Sequence, residues 1–143
     1  MNQEKNKKGN KSRPNKYHSM RLMLTEAERG DLEAQHHVGA CFATSNWDGP
    51  KDEVEAVKWY RKAAGAGHAP SQYDLGYMPL LGEGTMKDIE KGLWWMAEAV
   101  KNGEAYAAKV LTDIYNEGQF GLEPDREKAM CWNDKSGKFK REI

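Results

Sequence analysis

Apolar residues recur along this chain at the three- and four-residue spacing of an α-helix. Two sets of residues four apart predict the buried stripes of helices: Ala34, Val38 and Phe42, and Ala107, Leu111 and Tyr115. A third stripe, from Ala56 through Trp59 and Tyr60 to Ala63, has the same helical period. Polar, glycine-rich segments such as Gly82–Gly84 separate these stripes and predict turns. The pattern therefore indicates short helices joined by tight turns.

The helical pattern is itself repeated. Gly30, Gly67 and Gly103 begin segments that align with offsets of 37 and 36 residues. The alignment continues through three aspartates and then three tryptophans: Asp52, Asp88 and Asp125, and Trp59, Trp95 and Trp132. A period of this length is typical of a solenoid, in which each repeat is one supersecondary unit.

Each repeat is predicted to be two antiparallel helices. The recurring aspartate lies where the second helix begins, so its carboxylate can cap the free N–H groups there. We expect each tryptophan to fill the core between neighbouring helix pairs. Ser19–Arg29 resembles a second helix without its first and is expected to cap the array. Pro79 interrupts the second repeat, and we expect that helix to kink or end near Met78.

These residues resemble the Sel-one-like repeat family, which is related to the tetratricopeptide repeats. The family pattern is met best by Ser71–Gly103, with its small residue, Leu-Gly, Gly-x-Gly turn, Asp-x-x-Lys, Trp and closing glycine. The resemblance implies an all-α, right-handed α-α superhelix of about three two-helix repeats with an N-terminal capping helix. The expected boundaries are a cap helix over 19–29 and repeats over about 30–66, 67–102 and 103–137.

Charge divides the chain into two parts. Residues 1–21 carry a net charge of +6 and the remainder −6. The first sixteen residues also lack apolar periodicity, so we expect residues 1–16 to be a disordered basic arm and residues 17–143 to form the repeat domain.

The resemblance implies protein binding on a concave surface lined by the first helices. We expect residues of these helices that point away from the apolar stripe to contact the partner. The core of this predicted surface is Glu33, His36, Tyr73, Tyr77, Tyr106, Lys109 and Asp113, and the same register adds Ala40, Pro70, Leu80 and Asn116. The tyrosines are expected to cluster at its centre, where they combine apolar area with a hydrogen-bonding tip.

The leading interpretation is a module that binds one protein partner. Small bacterial proteins that resemble this chain act as adaptors or as immunity proteins, and an acidic array suits a basic toxin or effector. An interpretation from another class is nucleic-acid binding by the basic arm, which the acidic body disfavours. A third is a metal-dependent hydrolase built on His36, His37 and Cys41, which lacks further ligands in the local sequence.

Several other features bear on the expected cellular location of the protein. No apolar run approaches the roughly 20 residues that a membrane-spanning helix needs, and no apolar stretch follows the basic N-terminus as it does in a signal peptide. Cys41 and Cys131 are too few for a disulfide-rich secreted domain. We therefore expect a cytoplasmic, non-enzymatic protein with no cofactor and no membrane contact, present as a monomer or weak dimer.

Overall fold

The computed structural model describes residues 19–45 and 49–141, with side chains as far as residue 136. This part of the chain contains no strand, which confirms the all-α prediction. The predicted basic arm, residues 1–16, lies outside the described residues. Seven helices are present in the described part: α1 (Met20–Glu28), α2 (Leu32–Thr44), α3 (Glu53–Gly65), α4 (Ala69–Leu81), α5 (Ile89–Lys101), α6 (Ala105–Glu117) and α7 (Arg126–Arg141).

The recurring aspartates begin the second helix of each pair, as the sequence predicts. The Asp52 carboxylate accepts a hydrogen bond from the Glu55 N–H at 3.0 Å. Asp88 and Asp125 accept the equivalent hydrogen bonds from the Lys91 and Lys128 N–H groups, both at 3.1 Å. Each aspartate also donates its own N–H to a carbonyl in the last turn of the preceding helix. The three acceptors are the carbonyl oxygens of Phe42, Pro79 and Tyr115, at 2.9, 2.9 and 2.8 Å. The same bonds therefore close all three turns, although these differ in length.

The turns between repeats depend on the aligned glycines. Gly30, Gly67 and Gly103 have φ angles of +101°, +92° and +100°, in a region that residues with a Cβ rarely adopt. A buried glutamine follows two of these turns and donates a hydrogen bond to the last turn of the helix before the turn. Gln35 Nε2 donates to the Ala27 carbonyl and Gln72 Nε2 donates to the Ala64 carbonyl, both at 3.0 Å. These bonds fix the orientation of one repeat on the next.

Helices α4 and α5 approach each other through two glycines. A Cβ on Gly92 would lie 2.7 Å from the Gly76 carbonyl oxygen, and one on Gly76 would lie 2.9 Å from the Gly92 carbonyl oxygen. Leu80 and Met96, both with no exposed surface, pack beside this contact. The absence of two side chains thus allows close packing of the central helix pair.

The structure corrects one of the two expectations for Pro79, that α4 ends near Met78. The helix continues through Pro79 to Leu81. Because Pro79 stands in the last turn, its missing N–H removes a single helical bond. Gly82 then ends the helix in the left-handed conformation, with φ +72° and its N–H bonded to the Met78 carbonyl. The Pro79 ring is buried, so it contributes to the packing of α4.

The three aligned tryptophans differ in how deeply they are buried. Trp59 is a buried core residue, whereas Trp95 and Trp132 are half-buried and pack against the edges of core clusters. The expectation that every tryptophan fills the core is therefore correct for Trp59 and only partly correct for the other two. The residues that follow Trp59 and Trp95, Tyr60 and Met96, are both buried in the core.

Candidate functional site

Three tyrosines from two repeats form one cluster, which we call the tyrosine cluster. Tyr73 and Tyr77 lie one turn apart on α4, and their ring centroids are 5.5 Å apart in an edge-on arrangement. Tyr106, on α6, contacts Tyr73 in the same way at 5.6 Å. Tyr73 and Tyr77 also pack against the core, whereas Tyr106 is 55% exposed. The cluster therefore has a supported base and one prominent ring at the surface.

Burial and the neighbouring tyrosines raise the pKa of the Tyr73 hydroxyl well above its ordinary value. Burial likewise raises the pKa of the Tyr60 hydroxyl. Both hydroxyls therefore stay protonated throughout the physiological range, and the Tyr73 hydroxyl can act as a neutral hydrogen-bond donor.

The other predicted contact residues are placed as follows. Glu33, Lys109 and Asp113 are exposed, and His36 is half-buried. The prediction that Leu80 lies on the surface is wrong, because Leu80 has no exposed area and lies in the core between α4 and α5. Its position in the last turn of α4, next to the close contact of Gly76 and Gly92, directs it inward.

Acidic side chains predominate on the first helices of the repeats. Helices α2, α4 and α6 and their N-cap residues carry six carboxylates and one lysine. Helices α3 and α5 and their N-cap residues instead carry five basic and six acidic side chains, which nearly balance. The charge of the described repeats is thus unevenly distributed, with the acidic excess on the helices that carry the tyrosine cluster.

A second group of side chains lies where α2 meets the start of α4. His36 Nε2 is 2.7 Å from Asp74 Oδ2, which joins the first repeat to the second. The His36 ring is 5.3 Å from the ring of His68 and 6.0 Å from that of His37, measured between centroids. His68 Nδ1 is also 2.8 Å from the Ser71 hydroxyl. Three imidazoles therefore meet at one junction between repeats.

These imidazoles border an open cleft of about 600 Å³, which we call the histidine cleft. Its lining residues are Asp31, Leu32, Glu33, His36, His37, His68 and Pro70. The sequence pattern points to His36 and His37 but not to His68 or Asp74. No motif links His68 to His36, which precedes it by 32 positions. The packing of α3 against both α2 and α4 brings them together.

Two of the three candidate metal ligands, His36 and Cys41, make contacts within the fold. Cys41 is half-buried against the core, and burial raises the pKa of its thiol. His36 is hydrogen-bonded to Asp74. Within residues 19–45 and 49–141, no three His, Cys, Asp or Glu side chains are placed to hold a metal ion. The hydrolase interpretation therefore finds no support in the geometry of this group.

Acid should weaken the contribution of His68 to stability. Burial lowers its pKa in the folded protein, and the neighbouring His36 adds to the effect. In the unfolded chain the imidazole binds its proton near its ordinary pKa of about 6.5. The stability that neutral His68 contributes is thus present above about pH 6.5 and is lost as the pH falls through its lowered folded-state pKa.

We expect the native protein to melt at a higher temperature than His68→Asn at about pH 7.5, and this advantage to shrink at about pH 5. Circular dichroism measures both midpoints. A difference that stays constant between the two pH values would contradict the proposed titration of His68.

No helix in the described part of the chain has the length and apolar character needed to cross a bilayer. Three consecutive segments, residues 32–68, 69–104 and 105–132, match the family described as Sel1 repeat. The segments begin at the first residues of α2, α4 and α6. The family resemblance predicted from the sequence is therefore confirmed.

Similar proteins come from several organisms. Over 104 residues the chain is 32% identical to the chitin synthase regulator SKT5 of Malassezia restricta, which covers 66% of this chain and 7% of the regulator. A Sel1 repeat protein from Oxalobacter formigenes has 32% identity and a TM-score of 0.73, covering 82% of this chain and 46% of that one.

A protective antigen of uropathogenic Escherichia coli with an SLR fold has 26% identity and a TM-score of 0.75. That match covers 85% of this chain and 26% of the antigen. The chain thus spans less than half the length of each of these relatives. The three matched segments follow the observed helix pairs, and together they show that the chain belongs to the Sel1 repeat family.

Proposed function

We propose that this chain binds a protein partner on the face formed by α2, α4 and α6, with Tyr106 as the central anchor. Sel1 repeat proteins are generally protein-interaction modules. The observation that carries the proposal is the tyrosine cluster, in which Tyr106 is 55% exposed and rests on the half-buried Tyr73. A supported aromatic ring loses little conformational freedom on binding, so its apolar area is available to stabilise a complex.

The partner we propose is a protein with a basic surface. Glu33 and Asp113 are exposed on the first helices, where carboxylates outnumber the single Lys109. Complementary charge speeds association and selects against acidic competitors. The same acidic excess repels nucleic-acid phosphates, which disfavours the alternative of nucleic-acid binding on this face. That alternative would require the basic N-terminal segment and predicts salt-dependent retention of generic RNA or DNA.

Two narrower roles are compatible with this surface: an adaptor, and an immunity protein that occludes a basic toxin or effector. Inhibition of the partner's own activity in a stoichiometric mixture would support the immunity role, whereas unaltered activity would support the adaptor role. The family is typically a non-catalytic scaffold, and we propose the same for this chain. We propose a cytoplasmic location, because the free thiols of Cys41 and Cys131 suit a reducing compartment.

Removal of the anchor should weaken partner binding. We expect Tyr106→Ala to cost about 2 kcal/mol of binding free energy, roughly a 30-fold loss of affinity, as for a central aromatic residue. The ring is more than half exposed, so thermal stability should change little. The partner would be captured from the cells that encode the protein, identified and purified, and its affinity measured by titration calorimetry.

Trp94→Ala is the matched control for this experiment. Trp94 is 56% exposed, almost the same as Tyr106, but lies on α5, a second helix. Its replacement removes a larger aromatic ring from a different face and should leave the affinity unchanged. Loss of affinity in Trp94→Ala with none in Tyr106→Ala would contradict the proposed face and move the interface to the second helices.

A further inference from the structure

Among the described residues, the lining of the histidine cleft has two carboxylates and no lysine or arginine. Asp31 and Glu33 contribute the carboxylates. A lining of this composition attracts a cation.

The walls of the cleft are suited to a particular kind of cation. Leu32 and Pro70 offer apolar surface against which an alkyl stem can lie. The exposed His37 side chain contributes an imidazole ring to the same lining. A guanidinium group stacks on flat rings and directs several N–H donors at carboxylate oxygens, whereas an ammonium group is a compact, strongly hydrated charge. An arginine side chain uses all three kinds of wall.

The groups around His36 come from three elements. Glu33 and His37 lie on α2, the helix of His36, and the distance between His37 Nε2 and Glu33 Oε1 is 3.8 Å. Asp31 caps the N-terminus of that helix. From α3, Tyr60 contacts the His36 ring at 5.6 Å between centroids and keeps its proton. From α4 come Asp74, at 2.7 Å, and the ring of His68, whose pKa is lowered by burial.

We propose that the histidine cleft binds an arginine side chain of the protein partner, with the guanidinium group facing Asp31 and Glu33. The inference deepens the proposed function, since the arginine would belong to the partner. The cleft can nevertheless be tested without that partner.

The probe is N-acetyl-arginine amide, titrated into the whole chain and followed by NMR of the histidine side chains. We expect saturable shifts of the His36, His37 and His68 signals. N-acetyl-citrulline amide has nearly the same shape without the charge, and it should produce no saturable shift. Equal responses to the two compounds would overturn the proposal.

Glu33→Gln removes one charge of the cleft at an exposed position, so the fold should be retained. We expect it to weaken binding of the arginine probe by about fivefold, the effect of one partly exposed charge pair. Glu117→Gln makes the same change on α6, away from the cleft lining, and should leave the affinity unaltered. Equal affinities for the native protein and Glu33→Gln would contradict the assigned contact.

Zinc chloride separates the proposal from a metal site. If zinc shifts the three histidine signals at micromolar concentration while the arginine probe does not, the cleft is a metal site and the proposal is wrong. This outcome would leave the expected effect of Tyr106→Ala on partner binding untouched. Conversely, unchanged partner binding by Tyr106→Ala would contradict the proposed face without altering the arginine titration, so the two failures are distinguishable.

Discussion

Replacing Leu80 by alanine should remove about 2–5 kcal/mol from the free energy of unfolding. Leu80 has no exposed surface and packs with Met96 beside the contact of Gly76 and Gly92. The substitution deletes buried methyl groups and leaves a cavity that the closely packed α4 and α5 cannot readily fill. Since a domain is typically stable by about 5–15 kcal/mol, the variant should unfold at a much lower urea concentration.

The neighbouring leucine supplies the control. Leu81 is 49% exposed, so Leu81→Ala should change the free energy of unfolding by less than about 1 kcal/mol. Urea titrations followed by circular dichroism compare the two variants under identical conditions. If Leu80→Ala cost no more than Leu81→Ala, Leu80 would lie on the surface, as its register along the first helices suggests, and the described packing of α4 on α5 would be wrong.

The second large effect is expected from the addition of a single methyl group at Gly92. The new Cβ would lie 2.7 Å from both the Gly76 carbonyl oxygen and Leu80 Cγ. A backbone oxygen cannot move aside without displacing the whole of α4, and overpacking of this kind typically costs about 1–3 kcal/mol. We expect Gly92→Ala to destabilise the fold by about 2 kcal/mol or more, although alanine is intrinsically the better helix former by about 1 kcal/mol.

Gly65→Ala shows what alanine does where space is available. Gly65 ends α3, and a Cβ there would meet no atom within 4 Å. We expect this variant to gain about 0.5–1 kcal/mol through helix propensity. The same substitution should thus have opposite signs at the two positions, as measured by thermal melts. A gain at Gly92 as well would show that α4 and α5 do not approach closely there.

Both substitutions bear on the proposed binding face, because Tyr73, Tyr77 and Leu80 lie along one side of α4, and the two tyrosines pack against the core cluster that contains Leu80. A helix held against α5 through glycines has little freedom to rotate. The tyrosine cluster is therefore presented by a helix whose position the core determines, and we expect this rigidity to reduce the entropy lost when a partner binds.

The sequence by itself determined the repeat, the all-α fold and the capping aspartates. These features depend on spacing: offsets of 37 and 36 residues between Gly30, Gly67 and Gly103 indicate one unit used three times. Asp52, Asp88 and Asp125 were predictable because capping is local, involving atoms only three residues away. The contact between Tyr73 and Tyr106 followed from the period as well, since equivalent helices lie side by side in an array.

Only the tertiary structure decided the burial of Leu80 and the position of His68. A helical register assigns Leu80 to a face, but the close approach of Gly76 to Gly92 determines how far the core extends around that face. His68 immediately precedes α4, and its ring centroid lies 5.3 Å from that of His36 because the turn at Gly67 brings the end of the first repeat back beside α2. Both features depend on contacts between different helices. Side chains that meet only after the helices pack share no fixed spacing along the chain, so no local pattern encodes these contacts.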